Sequence, residues 1–145
     1  RSSDLLKKPD MKSSGSSPDE HLMRSEIEKI CAALSALRIP VAPEERLLHE
    51  MIAAALEGAG IAARHEAVIA PRCRIDFLAG SVGIEVKRGH LNPARLRAQA
   101  ARYLASPELS ALILVTTDAA PLPDSISEKP VVVFGLNRLW GVALP

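Results

Sequence analysis

The sequence predicts an α/β fold, with a mixed central sheet flanked by helices and an extra helix at the front. Three observations carry that expectation. Ala111-Leu112-Ile113-Leu114-Val115 is an unbroken apolar run, as in a parallel strand buried on both faces. Cys73–Lys87 reads as two short strands around a Gly80-Ser81 turn, an antiparallel hairpin. Between them Asn92-Pro93 opens an amphipathic helix, so strand, helix and parallel strand form a right-handed crossover. At 145 residues the chain is long enough for one domain with its own core.

The elements follow in order. Residues 1–16 are polar, with Ser-Ser-Gly-Ser-Ser at 13–17, and read as a flexible tail ahead of a single domain at 17–145. A first helix is expected over 17–38. Ser17 caps it, Pro18 takes the first helical position and Glu20 closes a capping box. Met23, Ile27, Ile30, Cys31, Leu34 and Leu37 then recur at helical spacing. A second helix starts at Pro43 and runs to about Gly58, with Leu48, Ile52, Ala55 and Leu56 inward. Glu45, three residues before Leu48, falls on that inward stripe. A strand at 64–70 leads through Pro71-Arg72 into the hairpin. The third helix ends before Pro107 and turns Leu96, Ala100, Tyr103 and Leu104 inward, with Gln99 stacked four residues before Tyr103. Further strands are expected at Val131–Phe134 and Leu139–Leu144.

The hairpin carries the chemistry. A two-residue loop beginning with Gly suits a type II′ turn and pairs Ala79 with Val82. Phe77 then faces Ile84, and Asp76 faces Glu85 with Cβ atoms about 4.5–5.5 Å apart. Lys87, two residues beyond Glu85, shares its face. Ile75, Phe77, Ile84 and Val86 are expected to make one buried face. Two carboxylates that close need a counter-charge. Mg²⁺ is commonly held by one or two carboxylates, with water and substrate phosphate completing its shell at about 2.0–2.1 Å. Asp76 and Glu85 supply the carboxylates and the Val86 carbonyl a further oxygen; Mn²⁺ suits the same donors. Such a cation polarises a phosphate and lowers the pKa of water, and Lys87 orients that water or stabilises developing charge. Glu45 is either a tuner of its helix dipole or a third acid for this site, with Glu44 as competitor.

Net charge is +1 but unevenly spread. Residues 71–103 hold seven cations (Arg72, Arg74, Lys87, Arg88, Arg95, Arg97 and Arg102) against Asp76 and Glu85. A basic field around a carboxylate pair fits a polyanion, and Arg88, Arg95 and Arg102 are its candidate nucleic-acid contacts. An ordinary solvated helix face competes with that reading. Phe, Trp and Tyr make up 3% of the chain, which argues against a base-stacking platform. Cys31 and Cys73 form no CxxC, against a zinc ribbon, an iron–sulfur cluster or a disulfide scaffold. The four histidines show no metal-ligand spacing. No apolar run approaches a membrane span and no secretory segment is visible, so a soluble, cytoplasmic protein is expected.

Asp76, then Glu85-Val86-Lys87, with Glu45 on a preceding helix and an apolar strand following, resembles the PD-(D/E)xK nuclease superfamily over about residues 43–117. The resemblance implies a restriction-endonuclease-like fold, with a catalytic core at 43–117 and C-terminal strands at 118–145. Gln99 and Tyr103 look like the QxxxY motif of the RecB-type and lambda-exonuclease-type branch. By that resemblance Asp76 and Glu85 are metal ligands and Lys87 is the catalytic lysine. Glu45 is an auxiliary acid, and Gln99 and Tyr103 position the substrate or the site. Ile75 stands where many members carry Pro, and the four cysteines of the cluster-bearing members are missing. The implied activity is that of a Mg²⁺-dependent deoxyribonuclease. The alternative is a catalytically silent nucleic-acid-binding or regulatory subunit on the same fold. The apolar stripe of the 17–38 helix must be covered, which leads to the expectation of a homodimer.

Overall fold

The computed structural model describes residues 16–136, so the strand expected at 139–144 and nearly all of the front tail lie outside it. Local signals set the helices. Ser17 Oγ accepts from the Glu20 amide at 3.2 Å while Glu20 Oε1 accepts from the Ser17 amide at 3.0 Å, the reciprocal box that starts α1 at Pro18–Ser35. Helix α2 spans Glu45–Gly58, with Glu44 rather than Ala42 or Pro43 as its flanking residue. After the strands β1 (Arg64–Ala70), β2 (Cys73–Ala79) and β3 (Val82–Lys87) comes α3 (Pro93–Leu104), capped by Asn92 Oδ1 on the Arg95 amide at 2.9 Å. The described chain ends with β4 (Ala111–Thr116), a two-residue β5 (Ser125–Ile126) and β6 (Lys129–Gly135).

These strands form one mixed sheet in the order β1-β2-β3-β4-β6-β5. Strands β1, β2 and β3 are antiparallel, β4 runs parallel to β3, and β6 runs parallel to β4. The α/β class holds. Helices α1 and α2 cover one face, where Ile30, Leu34, Leu48, Ile52 and Leu56 meet Phe77, Ile84, Val86, Ile113 and Val115. Helix α3 covers the other, where Ala100, Tyr103 and Leu104 meet Ile75, Leu78, Leu112 and Val131. Strand β4 is buried along its whole length, as its unbroken apolar run requires. On α1, Ile30 and Leu34 are fully buried, and Met23, Ile27, Cys31 and Leu37 pack against the same core. The stripe that suggested a homodimer is therefore covered within one chain. Among the described residues no helix is long and apolar enough to cross a membrane.

The hairpin has the expected register, with Ala79 opposite Val82 and Phe77 opposite Ile84. Gly80 takes φ 61 and Ser81 does not have positive φ, as a type II′ turn demands. One expectation fails. Ile75 does not share a face with Phe77, Ile84 and Val86; it lies in the α3-side core beside Leu78, while Phe77 lies in the α1/α2-side core. Residues two apart on a regular strand share a face, so the pleat is broken between them, at Asp76. Strand β1 breaks in step: Glu66, between the paired residues His65 and Ala67, takes φ 54, in the left-handed region non-glycine residues rarely enter. Gly83 makes room for the displaced Ile75, since a Cβ there would come 2.5 Å from Ile75 Cδ1 and 2.7 Å from Leu109 Cδ2.

Candidate active site

The break at Asp76 opens the sheet where the charged residues sit. In a regular antiparallel ladder alternate residue pairs exchange both main-chain bonds, and the Phe77–Ile84 pairing would continue to Ile75 and Val86. It stops at Phe77–Ile84. Beyond it the carboxylates take over: the Val86 amide donates to Asp76 Oδ2 at 2.8 Å, and the Asp76 amide donates to Glu85 Oε1 at 3.1 Å. Each acid is held by the other strand's main chain. The amide and carbonyl of a strand residue leave from the same edge, so the Val86 carbonyl faces the gap that Asp76 occupies.

Lys87 Nζ lies 3.5 Å from Glu85 Oε2, and the Asp76, Glu85 and Lys87 side chains are 23%, 8% and 26% exposed. That is dry enough to strengthen their fields and open enough for a ligand to reach them. Burial, and then the Asp76 charge, push the Glu85 carboxyl from its usual 4.5 up to about 7; the Tyr103 hydroxyl, the Asp76 amide and Lys87 pull the other way more weakly. Tyr103 itself is raised, first by burial and then by Glu85. Gln99 Nε2 donates to Tyr103 Oη at 3.0 Å. The Gln99–Tyr103 pair thus forms a short relay from α3 onto Glu85. Thr116, opposite Lys87 in the β3–β4 register, has a buried hydroxyl with no hydrogen-bond partner.

Glu45 is not on a buried stripe: it is the first residue of α2, a turn before the core begins at Leu48, and its side chain is 68% exposed. It reaches the site through His49. His49 Nε2 lies 3.8 Å from Glu45 Oε2 and 3.8 Å from Asp76 Oδ2, and it is buried without a hydrogen-bond partner. Its Nδ1 lies 3.3 Å from His65 Nε2. Histidine spacing along the chain offers no sign of this. The Glu45–His49 interval of four, one helical turn, was the available signal; the approach of His65, sixteen residues away, had none.

The basic residues divide. Arg74 pairs with Glu66 at 3.5 Å, and Arg88 Nη1 donates to the Pro43 carbonyl at 3.0 Å, tying the end of β3 to the entry of α2. Arg95, Arg97 and Arg102 are exposed on α3 and form no ion pair among the described residues. Among the described residues no three His, Cys, Asp or Glu side chains are grouped to hold a metal ion. The donor set of this centre is instead two carboxylates and a main-chain edge. Comparison with protein-family models, curated proteins and solved structures finds no match.

Proposed function

We propose that this chain is a Mg²⁺-dependent nuclease that hydrolyses phosphodiester bonds in DNA, on a restriction-endonuclease-like arrangement of sheet and helices. The observation that carries the reading is the mutual capture of Asp76 and Glu85 by opposite main chains, with Lys87 3.5 Å from Glu85. This places two acids and an ammonium at one opening in the sheet. The donor set fits Mg²⁺, which accepts two carboxylates and keeps water and substrate phosphate for its remaining positions. The raised Glu85 supports it, because its burial and then the neighbouring Asp76 charge disfavour its ionised form, and a bound cation would offset both. Mn²⁺ fits the same oxygens.

Asp76, Glu85 and the Val86 carbonyl would hold the ion. Bound there, it supplies charge neutralisation of the attacked phosphate and lowers the pKa of water. The chain's own groups do the rest. Lys87 places positive charge where the phosphate gains negative charge in the transition state. Tyr103, fixed by Gln99, holds the Glu85 carboxylate in its ionised, inward position. His49 and Glu45 wall the side toward α2, where His49 Nε2 stands 3.8 Å from Asp76 Oδ2 and from Glu45 Oε2. Arg95 and Arg102 on α3 supply phosphate contacts outside the reacting centre, with Arg88 at the mouth.

Incubating the chain with linear and circular DNA, with and without Mg²⁺ or Mn²⁺, tests this. Metal-dependent cleavage that disappears in Asp76→Ala and Lys87→Ala is the expected result; an inert wild-type chain across all four conditions would sink it. The second reading, a silent nucleic-acid-binding or regulatory subunit, draws on the small donor set, with no third metal ligand grouped among the described residues. DNA binding without cleavage in the same assay would select it.

A further inference from the structure

A second recess begins where the Asp76 site ends. Three rings meet there. His65 stacks on Phe77 with centroids 4.7 Å apart and planes 17° from parallel, and His49 approaches both, at 5.5 Å and 5.8 Å. Phe77 is buried under His65, whose own ring is exposed. Counting only Phe, Trp and Tyr argues against a stacking platform. The platform is built largely from imidazoles, which that count leaves out. In front of His65 opens a cavity of about 510 Å³ between α2 and β1, walled by Ala53, Leu56, Ile61 and Ala62 with Glu57 at its side. Small residues and a flat ring make this a slot for a planar group.

We propose that this slot is a nucleobase subsite, receiving an unpaired base of the strand whose phosphate occupies the Asp76–Glu85–Lys87 centre; it rests on the nuclease reading for that phosphate. Continuity supports it. His49 touches the slot's His65 at 3.3 Å and stands 3.8 Å from Asp76, so one side chain bridges slot and acids. Charge narrows the occupant. The apolar walls and the Glu57 carboxylate repel a phosphate, while a base offers a flat face to His65 and amino hydrogens to an acceptor. Stacking is tolerant of base identity, since every base has a π-face. The slot therefore selects for an unpaired nucleotide and not for a sequence. A paired base within a duplex could not enter it without leaving its stack.

The test has two arms. In the first, proton–carbon NMR follows the metal-free full chain titrated with deoxyadenosine 5′-monophosphate or with 2-deoxyribose 5-phosphate. Only the nucleotide should shift the His65 ring and the Ala53 and Ala62 methyls, and His65→Ala should weaken that binding at least about five-fold, the low end for one base–aromatic stack. His65→Phe, which keeps a ring and removes the nitrogens, should restore it. Equal shifts with the sugar phosphate, or an unmoved His65, overturn the proposal. In the second arm a single abasic residue is walked along a single-stranded oligonucleotide cleaved with Mg²⁺. One position should slow cleavage by the wild type and cause no further slowing in His65→Ala. Cleavage indifferent to every abasic position overturns the subsite and leaves the nuclease standing. Nucleotide stacking on His65 in a chain that cleaves nothing upholds the subsite and overturns the nuclease.

Discussion

Glu85 shows how one residue links the chemistry of the site to the stability of the fold. Its carboxyl is pushed up to about 7 in the folded chain against a usual 4.5. Below pH 4.5 it is neutral in folded and unfolded chains alike, and burying it is then least costly. Between pH 4.5 and 7 the unfolded chain releases this proton while the folded chain keeps it. The folded state then binds more protons, so stability falls as pH rises through that window. The metal-free protein should lose on the order of 3 kcal/mol across it, at about 1.36 kcal/mol per unit. Urea titrations at pH 4.5 and 7.5 should show this loss, Glu85→Gln should abolish most of it, and Mg²⁺ should offset it at pH 7.5 by binding only the folded site. A flat profile in the wild type would remove the case for a buried carboxylate pair.

Tyr103 and Lys87 act on the same carboxylate in different ways. The Tyr103 hydroxyl lowers the Glu85 pKa, so Tyr103→Phe should raise it further. A hydrogen bond to a charged group is worth about 1.5–3 kcal/mol, so the acidic limb of the pH–rate profile should move up by about one unit or more. Activity missing at pH 7 should therefore return at higher pH; a uniform loss at all pH values would make Tyr103 a packing residue only. Lys87→Ala should lower the cleavage rate far more than DNA affinity, whereas equal losses would mark it as a simple phosphate contact.

Among the elements, the candidate opening lies between β2, whose pleat breaks at Asp76, and β3, which stays regular against β4. Gly83 is the permissive residue, leaving space for Ile75 after the pleat breaks at Asp76. Gly83→Val should overpack that contact and cost about 1–3 kcal/mol, with a loss of activity exceeding the loss of fold because Asp76 is adjacent to Ile75. Thermal unfolding and cleavage measured on the same preparation check this. On α3, Arg95 and Arg102 are seven residues apart and both exposed. Removing both should reduce the log–log salt slope of DNA binding by about one for each phosphate no longer neutralised. An unchanged slope would return them to an ordinary solvated face.

For the molecule as a whole, two helices on one face and one on the other leave the open end of β3 accessible between α2 and α3. Arg88 closes the circuit by bonding the Pro43 carbonyl at the entry of α2. Helix α1 commits its apolar stripe to the core, so sedimentation should give the 15.5 kDa monomer, with Leu34→Ala destabilising it by about 2–5 kcal/mol. A dimer in the same measurement would show that a surface outside this core serves a second copy.

Whatever is decided within a few residues is legible along the chain. Ser17-Pro18 and Asn92-Pro93 set two helix starts through caps, and Gly80-Ser81 sets the hairpin register because a two-residue loop beginning with Gly favours one turn type. The proximity of Asp76, Glu85 and Lys87 follows from that register. Tertiary packing settles what depends on distant segments or on the backbone's departure from regularity. Strand period places Ile75 beside Phe77, but Glu66 at positive φ and the open ladder at Asp76 send them to opposite cores. Helical period places Glu45 inward, but it is the first residue of α2, ahead of the buried Leu48, and its side chain meets solvent and His49. His49, His65 and Phe77 come from three elements, and no local rule joins them. Their contact exists because the apolar face of α2 packs on Phe77 of β2, a long-range contact that brings His49 beside Phe77 and the His65 ring stacked on it.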